Sequence, residues 1–238
     1  MGILRIILVV SVVLLIRAEE NSTTHIDKQK GTYIGLESKL SDSLLRRKRS
    51  YNGYCTNEDT RFTSDGGGNT VYLDRQHPDC HGNGMRKFRL QRNGRGNEVK
   101  YEFSCCSLPS GFSSRTTTRS TSYDEDGGGN VIFLDRHHVS CPGNSFLQSF
   151  HLNRNSAHNR YRYTYSCHNP YSSSGTSCYR DSTNGNSLGY WRDWRRGRLI
   201  YLDRHLVDCP IGYFLNEFQL VHPAHRTINY RYRCCTYN

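Results

Sequence analysis

One phrase occurs three times in this chain. Leu73-Asp74-Arg75 leads to Asp79-Cys80, Leu134-Asp135-Arg136-His137 to Ser140-Cys141, and Leu202-Asp203-Arg204-His205 to Asp208-Cys209. A Phe-x-Leu follows each time, at Phe88/Leu90, Phe150/Leu152 and Phe218/Leu220. Each copy then closes on an aromatic-x-aromatic-x-Cys run ending at Cys105, Cys167 or Cys234. A period of about sixty residues means one supersecondary unit used three times, each copy leaning on its neighbours to bury its apolar face.

Within each copy the apolar period is two. Tyr161, Tyr163, Tyr165 and Cys167 point one way, and Arg162, Thr164 and Ser166 the other, as in a strand with one buried face. The β-branched and aromatic triplets Val71-Tyr72-Leu73, Ile132-Phe133-Leu134 and Ile200-Tyr201-Leu202 also read as strands. In the first two copies they follow Gly-rich turns, Asp65-Gly66-Gly67-Gly68-Asn69 and Asp126-Gly127-Gly128-Gly129-Asn130, where glycine supplies the positive φ of a tight hairpin. A calcium loop built on Asp124, Glu125 and Asp126 is the weaker alternative, because the spacing does not fit an EF-hand. The expected fold class is all-β. Repeats over residues 50–107, 108–170 and 171–238 would form a pseudo-threefold β-prism or β-trefoil-like domain stapled by disulfides. Three independent beads are the rival arrangement. The second repeat argues against it: it holds only two cysteines, too little to stabilise a unit of that size alone.

The repetition also yields the disulfide pattern. The first repeat has Cys55, Cys80, Cys105 and Cys106, and the third has Cys178, Cys209, Cys234 and Cys235. The second keeps Cys141 and Cys167 and has His168 where the last cysteine would stand. Loss of the first and last positions together implies that they pair. The predicted bonds are Cys55–Cys106, Cys80–Cys105, Cys141–Cys167, Cys178–Cys235 and Cys209–Cys234. Adjacent cysteines on a strand face opposite sides, so one of each doublet lies in the core and the other faces outward.

The compartment follows from the amino terminus. Arg5 precedes an apolar run over residues 6–16 and Ala18 follows, which reads as a signal peptide over residues 1–18. Residues 19–49 form a cysteine-free pro-segment ending in Arg46-Arg47-Lys48-Arg49, with cleavage expected between Arg49 and Ser50. The chain's one Asn-x-Ser/Thr sequon, at Asn21, falls in that segment, so glycosylation is expected there alone. Ten cysteines in an exported chain read as disulfides. The chain is expected to be secreted and extracellular, with no transmembrane anchor.

Residues 50–238 hold 23 basic and 16 acidic side chains, and 21 of the basic ones are arginine. Arginine's planar fork suits carboxylate, sulfate or phosphate and stacks on tyrosine. The third repeat departs from its siblings at Tyr190-Trp191-Arg192-Asp193-Trp194-Arg195-Arg196-Gly197-Arg198, which contains both tryptophans of the chain. Trp191, Arg192, Trp194, Arg195, Arg196 and Arg198 are therefore candidate ligand-binding residues, with Arg231 and Arg233 in support. The repeated pairs Asp74/Arg75, Asp135/Arg136 and Asp203/Arg204 form a second candidate set. They serve either as three equivalent sugar or anion sites or as an internal polar clamp that bonds backbone amides or an arginine of a neighbouring repeat.

No phosphate-loop or zincin motif occurs, and every cysteine has a mate. The reading is non-enzymatic, with no catalytic residue, metal or cofactor expected. The pattern of signal, basic-cleaved pro-segment and Cys/Tyr/Arg-rich β-repeats is similar to that of secreted invertebrate matrix proteins. The first functional expectation is an extracellular matrix-type protein that binds acidic glycans or matrix polymers and associates with mineral. A lectin with repeated sites and a secreted toxin or defence protein are the alternatives. Nucleic acid is not an expected partner for an exported chain, and self-association stays open.

Overall fold

The period-two segments form three long antiparallel hairpins. Gly84–Arg92 pairs with Glu98–Cys106, Phe146–Arg154 with Arg160–Pro170, and Phe214–Ala224 with Thr227–Tyr237. The computed structural model describes residues 53–108, 110, 112–170, 176–184, 186–187, 197–224 and 227–237, all within the unit Ser50–Asn238. The predicted leader and pro-segment, with Asn21 and the Arg49/Ser50 cleavage position, lie outside the described residues. The described fold is mostly β-sheet with short 3-10 helices.

An outer strand flanks each hairpin. Cys55–Asp59, Phe112–Ser120 and Thr176–Ser182 lie along the second strands of the three hairpins. Each sheet is then extended by a neighbouring repeat. Asp79 of the first bridges Ser149 of the second. His138–Ser140 of the second joins Phe214–Ala224 of the third. Val207–Asp208 of the third joins Gly84–Arg92 of the first.

The triplets expected as strands are not strands. Thr70–Arg75, Val131–Arg136 and Leu199–Arg204 form 3-10 helices, so the hairpin expected at the Gly-rich turns is replaced by a turn leading into a helix. In the first two, local capping outweighs β-propensity; Leu199–Arg204 has no side-chain cap. The Asn69 side chain accepts from Val71 N at 3.0 Å, and that of Asn130 from Ile132 N at 3.2 Å, satisfying donors at the helix start. With three residues per turn, i and i+3 eclipse. This buries Thr70 and Leu73 and brings Arg75 over Tyr72 on the outside.

The three helix starts lock onto one another in a ring. Thr70 N donates to Gly129 O at 2.9 Å, Val131 N to Gly197 O at 2.8 Å, and Leu199 N to Gly68 O at 2.8 Å. Gly68 and Gly129 have φ of +91° and +83°, and a Cβ there would collide with the side chains of Arg198 and Asn69 respectively. Glycine is thus needed both for the backbone conformation and for the close approach.

One apolar core draws on all three repeats, so they are not separate beads. At its centre Phe88, Phe150 and Phe218 meet in pairs with ring centroids 4.9–5.0 Å apart. Tyr101, Tyr163 and Tyr230 approach this trio edge-on, a favourable aromatic geometry. The five disulfides are Cys55–Cys106, Cys80–Cys105, Cys141–Cys167, Cys178–Cys235 and Cys209–Cys234. These are the pairs that the joint loss in the second repeat predicts.

Candidate ligand-binding surfaces

The repeated aspartates reach across to neighbouring repeats. Arg154 Nε donates to Asp74 Oδ2 at 2.7 Å, and Arg92 Nε to Asp203 Oδ2 at 2.6 Å. His222 replaces that arginine in the third repeat. The Asp135 carboxyl there is pushed up by burial, against the pull of Arg136 and His222. The repeated arginines turn outward onto rings of their own helices. Arg75 lies 4.3 Å over Tyr72, Arg136 4.2 Å over Phe133, and Arg204 4.8 Å over Tyr201, cation–π contacts that also shield the rings. The structure therefore uses Asp74 and Asp203 as clamps. It does not gather the six Asp and Arg side chains into one site. Of the alternative calcium-loop residues, Asp124 is held by Arg136 at 2.6 Å and Asp126 caps Gly128 N at 2.9 Å.

In sequence the residue after each Asp-Arg pair is only weak evidence of a metal site. Gln76, His137 and His205 are buried. A threonine stands beside each: Thr60, Thr121 and Thr183 accept from Tyr101 N, Tyr163 N and Tyr230 N at 2.8–3.0 Å. Their hydroxyls are then left to donate to Gln76 Oε1, His137 Nδ1 and His205 Nδ1. That assignment puts the imidazole proton on Nε2. Nε2 is buried in both histidines with no partner among the described residues. Burial pushes both imidazole pKa values down, against the pull of Asp124 on His137 and Asp203 on His205.

Trp191, Arg192, Trp194, Arg195 and Arg196 lie outside the described residues. Arg198 is described. It is exposed at the rim of a cavity of about 660 Å³ formed by the glycine turns of the ring.

The outward faces of the three sheets carry different chemistry at matching positions. On the first, Arg89 donates through Nε and Nη2 to Glu102, and Lys100 pairs with Asp59 at 2.7 Å, so charge is balanced. On the third, Arg180 is aligned with Arg233, and Arg233 with Glu217. Glu217 is already engaged by Arg180 at 3.0 Å, by the Ser140 hydroxyl at 3.2 Å and by His138 at 3.5 Å. Arg231 and Arg233 have no ion-pair partner among the described residues. In its two central rows the second face carries His151 opposite Thr164 and Ser149 opposite Ser166, with Arg162 where the first has Lys100.

No protein-family model, curated protein or solved structure matches this chain. Among the described residues no helix is long and apolar enough to cross a membrane.

Proposed function

We propose that this is a secreted, non-enzymatic extracellular protein of matrix type that binds acidic polymers, sulfated or carboxylated, and associates with mineralised matrix. The observation that carries the reading is the third sheet. Arg180, Arg231 and Arg233 stand on one outward face with a single, already engaged carboxylate, Glu217. Arginine forks bind sulfate and carboxylate bidentately, and a rigid sheet holds them at fixed spacing along an extended chain. The Trp191–Arg198 segment remains a proposed second contact. Five disulfides, the amino-terminal apolar run and the basic tetrapeptide support export and removal of residues 1–49. The cyclic strand exchange and the Phe88/Phe150/Phe218 trio support a pseudo-threefold β-prism or β-trefoil-like domain.

Binding of the secreted chain to heparin and to polyglutamate, measured over a salt series, tests the reading. Affinity should fall steeply with salt, because exposed charges are screened within about 8 Å at physiological ionic strength. Replacing Arg180, Arg231 and Arg233 with Ser should weaken it about tenfold or more, on the scale of several lost charge-assisted contacts. Undiminished binding by that variant would shift the site to the Trp191–Arg198 segment, and no binding by the parent would end the reading. Amino-terminal sequencing of the native protein should return Ser50.

A further inference from the structure

The second sheet breaks the charge pattern of its siblings. The row that reads Arg89 opposite Glu102 in the first repeat, and Gln219 opposite Arg231 in the third, reads His151 opposite Thr164 in the second. The next row reads Lys87–Ser104, Glu217–Arg233 and Ser149–Ser166. In the second repeat both rows floor a cleft of about 430 Å³, to which Thr118 and Tyr123 also contribute. His77, handed over from the first repeat, forms part of the lining, with its ring 5.1 Å from that of His151.

Four polar groups of the cleft keep hydrogen-bonding capacity in hand. His151 Nε2 bonds the Asp74 carbonyl at 2.7 Å, which fixes the ring and leaves Nδ1 as its acceptor. Asn153 Nδ2 donates to Thr164 Oγ1 at 2.8 Å, so the Thr164 hydroxyl is free to donate. Thr118 and Ser166 hydroxyls stand 3.5 Å apart, each able both to donate and to accept. Tyr123 offers an exposed ring, 38 % accessible, held in place by the Arg162 guanidinium 4.4 Å from its centroid.

We propose that this cleft is a binding site for a neutral saccharide. A sugar hydroxyl donates and accepts at once, and is matched by hydroxyl, amide and imidazole groups. Its apolar ring face is matched by an aromatic platform whose own orientation is already set. The charged side chains of the lining are already engaged: Arg154 holds Asp74, Arg162 covers Tyr123, and Asp79 accepts from His81 N and Gln148 Nε2. On the first sheet the Arg89–Glu102 ion pair fills the equivalent position, and on the third Gln219 stands opposite Arg231, so the site occurs once despite the repetition. It is distinct from the arginine face of the third sheet, and the two are separable by experiment.

The test is titration of the secreted chain with chitohexaose, cellohexaose and laminarihexaose, with a heparin hexasaccharide as the polyanionic comparison, followed by calorimetry and by shifts of histidine ring resonances. At least one neutral hexasaccharide should bind saturably, shift the His77 and His151 signals, and keep its affinity when salt is raised. Tyr123→Ala and Thr164→Val should each weaken it about tenfold, the scale of one lost stacking or hydrogen-bonding contact. Both positions lie on the outward face, and a thermal melt of each variant confirms the fold. The Arg180/Arg231/Arg233→Ser variant should bind the neutral sugar as the parent does. The proposal is overturned if none of the three neutral sugars binds, if only the heparin fragment enters the cleft, or if both cleft variants bind like the parent.

Discussion

Arg154 of the second repeat holds Asp74 of the first through a 2.7 Å bond from Nε, and both side chains are largely withdrawn from solvent. The same contact, Arg92 to Asp203, joins the first repeat to the third. The first prediction is that these are couplings between repeats and not surface decoration. Asp74→Ala should cost about 1–3 kcal/mol, the usual range for stranding one partner of a charged hydrogen bond. A double-mutant cycle with Arg154→Ala in urea should return a coupling of at least about 0.5 kcal/mol. Additive effects would reduce the pair to a solvent-screened contact.

The second prediction concerns acid. His137 and His205 have pKa values below the ordinary 6.5 in the fold. Below about pH 6.5 the unfolded chain therefore takes up protons that the native chain resists, and stability falls as pH falls. At neutral pH and above both states are unprotonated and this contribution is flat. The first repeat already contains the remedy: Gln76 Nε2 donates to Thr63 Oγ1 at 2.6 Å, Val99 O at 3.1 Å and Arg61 O at 3.2 Å. Converting both histidines to Gln should flatten the loss between pH 7 and 5, read as Tm against pH. An unchanged slope in the double variant would assign the acid sensitivity to other groups.

A third expectation uses the disulfide that the second repeat lacks. Cys55 faces Cys106, and Cys178 faces Cys235, with Cα atoms 4.0 and 4.1 Å apart. Thr116 and His168 occupy the same register in the second repeat. Thr116→Cys with His168→Cys should therefore form a sixth bond during export, visible by mass as the absence of free thiol. Stabilisation of up to about 2–4 kcal/mol is expected from closing a loop of this length. A variant that forms the bond and is no more stable would show that losing His168 cancels the gain.

Fourth, a shared core should melt as one. Phe218→Ala removes the ring that touches both Phe88 and Phe150 and should cost about 3–5 kcal/mol. Fluorescence and circular dichroism should still give coincident unfolding curves. Separate transitions for the first and third repeats would contradict a single core.

Much of this architecture was legible because it was written three times. Paired absence in the second repeat revealed the cysteine pairing, and Tyr163 and Tyr165 alternate in a way only a strand satisfies. The Asp-Arg clamp was visible as an alternative from the repetition of the pair, though its partners Arg92 and Arg154 were not. What misled was composition. Val71-Tyr72-Leu73 favours strand, yet Asn69 caps the segment and the ring of turns holds it as a 3-10 helix. That ring is assembled from residues about sixty apart, beyond any local pattern. The cleft of the second sheet was invisible for a related reason. His77 and Thr164 become neighbours of one cavity only after a strand has been handed between repeats.

That handover runs in a circle, and it sets a condition on biosynthesis. Val207 pairs with Phe88, and Asp208 with Lys87. As the chain emerges amino end first, the edge that Phe88 presents stays unpaired until residues 207–208 have been made. An open strand edge is a template for pairing with the wrong chain, and such long-range closure is slow. The cysteines of the first repeat can join well before the sheet they belong to is complete. The final repeat therefore acts as a keystone, and a ribosome stalled before it would release a chain with an open seam.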